Sequence, residues 1–427
     1  MSDCDVVVIG AGLAGLGAAR ALRAAGRRVV VLEAATEIGG RARTAYPEAT
    51  GGLWFDLGAI WLHTAERNPL VAIAEAEGAR LIRADDLRSR QLFIGGRRAS
   101  AAEAAEWDAA RRRFAAVAET LAAGASDLPL TEVAKRLPEY PWAVTAETWE
   151  SAVVCAVDAR LLSLRDWRRN VLSGSDLMIE GGIGAFVARR LGAGLDIRRH
   201  TPATRIDWNG KGGRVKVTTP VGAIKAEAVV VTVSTGVLAA GALAFDPALP
   251  DDVGAAIAGL PMGLAIKVVL RATAPDRLDL PDHCSLVRRV ERSGAPAMAF
   301  QCWPYGRDYV QGWVGGSAAW GLAAEGDKAV EAFALDQLRA LFGGRVDRLF
   351  AGGARLVTRW DADPWVRGAY SYARPGSADA RAALARPLGD GRLLFAGEAC
   401  HDGMTGTLAG AWLSGERAAA EILAVLA

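Results

Sequence analysis

Between residues 5 and 33 the chain runs strand, glycine turn, helix, strand and acid, an order that few folds accept. Asp5-Val6-Val7-Val8-Ile9 is a short apolar run with no polar face, which suits a parallel strand buried on both sides. Gly10-Ala11-Gly12-Leu13-Ala14-Gly15 follows directly, and residues 16–25 are alanine-rich with helical spacing. The three glycines serve a tight turn, close approach of backbone to a pyrophosphate, and close packing of helix on strand. The helix start adds free N–H groups and the positive end of its dipole, so Leu13 and Ala14 belong to the same site. Residues 29–32 form a second strand ending at Glu33-Ala34, roughly 20 residues on, where a carboxylate can accept from both ribose hydroxyls. Glycine spacing alone is weak evidence. Strand before, helix after and acid at that distance together predict a dinucleotide site in an α/β, Rossmann-like domain.

Glu37-Ile38-Gly39-Gly40-Arg41-Ala42-Arg43-Thr44 supplies a second close-approach glycine pair with two guanidiniums beside it. Arginine is the planar, permanently charged partner for phosphate oxygens. A nicotinamide dehydrogenase has no general need of this element. Gly39-Gly40-Arg41 behind the first fingerprint resembles the FAD-binding pattern of flavin amine oxidases and their relatives. Read without that resemblance, the stretch is a glycine-rich surface turn in an arginine-rich chain.

The tail carries a second constellation. Phe395-Ala396-Gly397-Glu398 is an apolar strand ending in a glycine and a carboxylate, and Gly403-Met404-Thr405-Gly406-Thr407 opens a helix over 408–426. Glycines at such a junction let backbone N–H groups face a ligand, and a helix start stabilises negative charge, which reduced flavin acquires at its N1 and O2 edge. With Gly410-Ala411 and Ser414-Gly415-Glu416-Arg417-Ala418, the segment resembles the closing signature of the flavin amine oxidases. The resemblance implies that Glu398 lies near the ribityl and pyrophosphate portion of FAD. It also implies cofactor contacts at Gly397, Gly406, Thr407 and Leu408, at Gly58, Ala59 and Ile60, and at Arg205, Ile206 and Trp360.

Bulk properties agree with an oxidoreductase. At 427 residues the chain exceeds what one hydrophobic core usually supports. A net charge of +2 leaves no field for nucleic acid. No apolar stretch approaches membrane-spanning length, the chain opens on a strand without a signal peptide, and residues 418–427 are too short to span. The anchor of membrane-bound monoamine oxidases is therefore not expected, and a cytoplasmic protein is. Cys4, Cys155, Cys284, Cys302 and Cys400 show no disulfide or CxxC spacing and read as small buried residues. His63, His200, His283 and His401 lack ligand spacing, so no metal site is expected.

Residues 99–190 read as mostly helical, with Phe114, Val117 and Leu121 at helical spacing and Trp107, Trp142, Trp149 and Trp167 arguing for a packed core. Strands are expected at 196–199, 204–208, 214–218 and 226–233, with a turn at Asn209-Gly210-Lys211-Gly212-Gly213 that makes an antiparallel ribbon. Strands near 263–270, 297–303 and 311–315 and a helix over 327–342 precede the closing strand 393–395. This predicts a discontinuous FAD domain from 1–83, 179–262 and 386–427. A substrate domain comes from a helical part, 84–178, and an α+β part of sheet and helices, 263–385.

Lys267 is the strongest single candidate for chemistry. The other lysines are Lys135, Lys211, Lys216, Lys225 and Lys328, so arginine is the chain's usual cation. Lys267 stands alone in Gly263-Leu264-Ala265-Ile266-Lys267-Val268-Val269-Leu270, apolar on both strand faces. Burying an ammonium there costs several kcal/mol unless it is paired or loses its proton. The bland alternative is an edge-strand lysine snorkelling to solvent. In flavin amine oxidases a lysine at the matching place holds a water against flavin N5.

Further resemblance implies the pocket. The run from Trp360-Asp361 through Pro364-Trp365 to Gly368-Ala369-Tyr370-Ser371-Tyr372 is similar to the stretch that sets an aromatic residue beside the flavin, here Tyr370. Monoamine oxidases bind FAD covalently through a cysteine just before that tyrosine; Ala369 stands there, which implies noncovalent FAD. Their second tyrosine aligns with Thr407, so the paired aromatic cage is absent. Asp56-Leu57-Gly58-Ala59-Ile60-Trp61-Leu62-His63 resembles the polyamine oxidase segment in which a tryptophan and a polar residue two positions later face the substrate, with histidine in the animal-type enzymes. Trp61 and His63 take those roles here. Asp56, Glu150, Asp158, Asp166 and Asp176 are candidate carboxylates for a polycation.

The implied reaction is hydride transfer from the carbon alpha to a neutral amine onto flavin N5, hydrolysis of the iminium to an aldehyde and a shorter amine, and reoxidation by dioxygen to hydrogen peroxide. Polyamine or diamine oxidation leads. An L-amino acid or other monoamine oxidase, a desaturase or porphyrinogen-type oxidase, and a flavin-binding protein without turnover are the alternatives. Expected partners are a small amine and dioxygen, with a homodimer compatible. Histone demethylases of the superfamily carry a recognition domain and a helical tower for which this sequence has no room.

Overall fold

The computed structural model of the chain describes residues 3–83, 89–170, 172–209 and 213–427. Gly210, Lys211 and Gly212 of the expected turn, and the segment boundary at Ala84, lie outside the described residues. Val6–Ile9 is the middle strand of a five-stranded parallel sheet, in the order Leu393–Phe395, Ala228–Val231, Val6–Ile9, Val29–Leu32 and Asp196–Arg198. Its alternate side chains enter two cores: Val6 and Val8 face one, Val7 and Ile9 the other. That is why the run has no polar face.

The first and last helices, Leu13–Ala24 and Leu408–Val425, pack against each other on one face of this sheet. A Cβ at Gly415 would sit 2.1 Å from the Ala14 carbonyl oxygen, and one at Gly17 3.0 Å from that of Trp412. The two ends of the chain are thereby joined through backbone contact that only glycine permits. Gly415→Val is expected to cost about 1–3 kcal/mol by overpacking, read as a lowered denaturation midpoint; an unchanged midpoint contradicts the contact.

A seven-stranded sheet builds the second body, in the order Arg355–Val357, Ala265–Arg271, Tyr309–Gly315, Ala299–Cys302, Cys284–Arg288, Ser89–Ile94 and Arg97–Arg98. Lys267 therefore lies on an interior strand, between Tyr309–Gly315 and Arg355–Val357, which removes the edge-strand alternative. The part expected to be helical, 84–178, contributes Ser89–Ile94 and Arg97–Arg98 to this sheet, while Leu177–Ile179 pairs with Leu81–Arg83. Ser89–Ile94 pairs in parallel with Cys284–Arg288, a partner far along the chain that local periodicity cannot report. The expected strand 226–233 divides: Gly222–Ala226 closes a hairpin on Val215–Thr219, and Ala228–Val231 joins the parallel sheet.

The helical expectation holds from residue 101. Ala101–Ala122 begins with a capping box between Ser100 and Glu103, and buries Trp107, Ala110, Phe114 and Ala118 against Trp142. Ala143–Thr148 runs into a π-helical turn, Trp149–Val153. Such turns occur often at functional sites, and this one leads to the Val154 carbonyl used below. Among the described residues no helix is long and apolar enough to cross a membrane, and no His, Cys, Asp and Glu cluster could hold a metal.

Candidate active site

The glycine turn is built for close approach. Gly10 has φ +101°, and a Cβ at Gly15 would lie 1.9 Å from the Gly10 carbonyl oxygen, so the helix meets the strand through bare backbone. No side chain caps the helix at Gly12, which leaves the N–H groups of its first turn for a ligand. The second glycine element folds onto the first: Gly39 bridges Gly12 and donates to the Ala11 carbonyl at 2.8 Å, and a Cβ at Gly40 would lie 3.4 Å from the Gly12 Cα. Glu33 is buried, with its two carboxylate oxygens accepting from Ala11 N–H and Ala35 N–H, each at 2.8 Å. Burial raises its pKa beyond what these bonds offset. Ala34 is half-buried beside it.

Arg41 crosses from this turn to the tail. Its guanidinium donates to Glu398 at 2.9 Å and to the Ala369 carbonyl at 2.8 Å. The buried Glu398 also accepts from Ser371 N–H (3.0 Å), Ser371 hydroxyl (2.8 Å) and Gly406 N–H (3.0 Å). Burial alone would raise its pKa, but Arg41, Arg381 and the N–H donors outweigh that and hold it below the usual carboxylate range. Gly397 N–H donates to Ser414 at 2.8 Å, tying the strand end to the last helix. Behind Glu398, Arg381 is fully enclosed, donating to Asp166 at 2.6 and 2.9 Å and to Ser371 at 2.8 Å.

Lys267 reaches the same place from the second body. Its Nζ donates to the Asp56 carbonyl at 2.7 Å and the Gly58 carbonyl at 2.5 Å, with the Phe55 ring centroid 5.6 Å away. Gly58 abuts the Arg41 carbonyl, where a Cβ would come within 1.8 Å, and Ala59 N–H donates to that same carbonyl at 3.2 Å. Lys267, Gly58, Ala59, Arg41, Glu398 and Gly406 thus form one connected chain of contacts. Burial lowers the Lys267 pKa to about 7, only partly opposed by Asp56. The Asp56 carboxylate is itself buried, bonded to Thr44 and to Ile183 N–H, and burial raises its pKa.

Tyr370 lies beside Gly406, whose Cβ position is 3.5 Å from the ring, and its hydroxyl donates to the Val154 carbonyl at 2.9 Å. Trp360 donates its Nε1–H to the Leu57 carbonyl at 3.3 Å, with the Arg43 guanidinium 5.2 Å above the ring. Ile60 and Trp61 are half-buried in the segment between Gly58 and His63. His63 Nδ1 is 2.7 Å from an Asp176 carboxylate oxygen.

The remaining expected residues make contacts within the protein. The Thr407 hydroxyl donates to the Met404 carbonyl at 2.7 Å and accepts from Gly410 N–H at 3.0 Å, so it caps the last helix, with Leu408 buried beneath. Arg205 is paired with Asp207 and Asp246 at the surface, and the Ile206 side chain is fully enclosed in an apolar core, so neither side chain is turned to the glycine cradle. Of the candidate carboxylates, Asp166 serves Arg381, Asp56 serves Thr44 and backbone, Asp158 accepts from Ser317 N–H, and Glu150 pairs with Arg111. Asp176 meets a predicted pocket residue, His63, through its carboxylate. Sequence reasoning missed Arg381 and Ser371: an arginine in an alanine-rich helix, with a partner more than two hundred residues away, leaves no local signal.

The uncapped helix, Glu33, the crossed glycine turns and the Arg41–Glu398 pair fit FAD, and they belong to one surface. The family described as "Flavin containing amine oxidoreductase" matches residues 13–147 and 118–423. The chain belongs to this family. As a flavin-containing amine oxidoreductase it is an FAD-dependent amine oxidase. It is 31% identical over 445 residues to "Probable polyamine oxidase 4" of Arabidopsis thaliana, covering 96% of this chain and 85% of that protein. It is 28% identical to "Lysine-specific histone demethylase 2" of Homo sapiens, covering 98% of this chain but 53% of the demethylase. A redesigned putrescine oxidase superposes with a TM-score of 0.81 at 19% identity over 99% of both chains, which shows a shared fold.

Proposed function

We propose that this amine oxidase acts on polyamines and related diamines, with FAD held noncovalently, dioxygen as final acceptor and hydrogen peroxide as product. The observation that carries the substrate reading is the His63–Asp176 pair, in which the histidine of the segment that resembles polyamine oxidases meets a carboxylate. The likeness to a polyamine oxidase over nearly the whole chain supports it. Ala369 in place of a cysteine supports noncovalent binding, and five free cysteines fit a reducing, cytoplasmic setting.

The first-turn N–H groups after Gly12 and the Gly39-Gly40 backbone would hold the FAD pyrophosphate, Glu33 the adenosine ribose, and Arg41 with Glu398 the middle of the molecule. Bound FAD supplies a two-electron acceptor, the hard chemistry that side chains lack. Tyr370, its hydroxyl fixed on the Val154 carbonyl, forms a rigid wall that orients the amine. Two of the three Nζ valences of Lys267 are committed to carbonyls. The third is a donor when the group is protonated and a lone pair when it is not, so Lys267 can hold a water and exchange a proton with it near pH 7.

An anaerobic bleaching screen tests this reading. Spermine, spermidine, putrescine or an acetylated polyamine should bleach the flavin faster than aromatic monoamines or amino acids, with peroxide formed on admitting air. Bleaching by amino acids alone would overturn it. Because a desolvated pocket disfavours the ammonium form of the amine, the rate of anaerobic reduction should rise with pH through the substrate's ionisation. A flat profile contradicts a neutral-amine requirement.

Gly15→Val would set side-chain atoms against the Gly10 carbonyl and spoil the phosphate turn. The expected result is protein purified without visible flavin absorbance but with near-native circular dichroism; full flavin content contradicts the placement.

A further inference from the structure

We propose that Asp176 is a positioning residue that locks His63 in the Nδ1–H tautomer, so that the pair presents an Nε2 acceptor braced by a carboxylate to a second nitrogen of the substrate. The inference deepens the polyamine reading and rests on it. Leu62 and Leu177 form an isolated antiparallel bridge, with Leu62 N–H donating to the Leu177 carbonyl at 2.7 Å and Leu177 N–H returning a bond at 3.2 Å. In such a pairing the next residue on one strand faces the previous residue on the other. His63 and Asp176 are brought opposite each other by backbone register, and the side chains close to 2.7 Å.

The segment holding Asp176 is fixed on both sides. Leu177–Ile179 pairs with Leu81–Arg83, and Ser175 N–H donates to Glu66. The histidine end is fixed too, since Asn68 donates its side-chain N–H to the His63 carbonyl at 3.0 Å.

An ionised carboxylate only accepts hydrogen bonds, so the proton between the two groups sits on Nδ1. In the neutral ring Nε2 then keeps its lone pair as the acceptor, as in other carboxylate–imidazole pairs where the second nitrogen's partner sets the tautomer. His63 retains 30% exposure and Asp176 17%, enough for approach by a ligand and too little for bulk water to screen the pair fully. A monoamine, whose single nitrogen goes to the reaction centre, has nothing to place there; a diamine has an ammonium.

Imidazole 15N shifts and substrate preference together test the proposal on the flavin-loaded protein. With four histidines in the chain, the His63 pair of resonances is assigned as the one lost in His63→Asn. The expected wild-type pattern is a protonated Nδ1 and a bare Nε2. Asp176→Asn should mix the tautomers and lower the putrescine-over-monoamine ratio of kcat/KM by about tenfold, mostly through KM, as loss of one charge-assisted hydrogen bond predicts. Asp176→Glu, which keeps the charge, should recover part of both signals. A wild-type Nε2–H tautomer, shifts unmoved in Asp176→Asn, or equal losses for putrescine and monoamine would overturn the proposal. Should no diamine be a substrate at all, the substrate reading fails while the 15N result still decides the tautomer.

Discussion

Lys267→Met should slow aerobic turnover and flavin reoxidation by on the order of 100-fold, the usual scale for removing a positioned proton-transfer group, while making the folded protein more stable. Both effects have one origin. Lys267 sits on an interior strand with its Nζ enclosed among Asp56, Gly58 and Phe55, and burial draws its pKa from 10.5 to about 7. Between those two values the unfolded chain binds a proton that the native protein does not, so wild-type stability climbs as pH rises from about 7 toward 10.5. At and below about pH 7 the destabilisation by the buried amine is present in full. Methionine fills the space without a charge, so the variant's gain in denaturation midpoint should be largest near pH 7 and shrink on the alkaline side. Unchanged reoxidation would remove Lys267 from the chemistry; a destabilised variant at pH 7 would contradict the buried-amine argument.

Arg381→Met should be the most damaging change away from the pocket. The guanidinium holds both Asp166 oxygens and Ser371, which in turn presents its N–H and hydroxyl to Glu398. Removing it leaves Asp166 buried and uncompensated and takes a cation from beside Glu398. Breaking a buried pair from one side typically costs about 3–5 kcal/mol. Denaturant unfolding should show a loss of that size together with weaker FAD retention. Adding Asp166→Asn to the variant should return part of the stability, because no isolated charge then remains. A double variant no better than the single would show that packing, not charge, dominates this position.

What the sequence reveals follows from range. The strand from Val6 to Ile9, the glycine turn and Glu33 act on near neighbours in the chain, so local pattern predicts them together, and the structure puts the corresponding groups in contact. The tail was legible for the same reason: strand, glycine, acid and helix follow one another. That the two termini meet is a tertiary fact, written only in small residues such as Gly415, whose need appears once Ala14 is seen against it. Lys267 announced itself by contrast, as a charge in an apolar strand. The strand Ser89–Ile94 and the Asp166–Arg381 pair were silent because their partners lie far along the chain, and nothing in local pattern distinguishes them from a helix edge or a surface charge. Arg205 and Ile206 show the converse limit: a segment's general likeness implies a contact but does not say which way each side chain turns, and here one pairs at the surface and the other enters an apolar core.

The decisive measurement is a crystal structure of the purified, flavin-loaded protein. FAD should lie from Glu33 and the first glycine turn to the 403–407 segment, with the isoalloxazine ring between Tyr370 and the Lys267 amine. A ring lying elsewhere, or a Lys267 side chain extended into bulk solvent away from it, would overturn this placement of the cofactor.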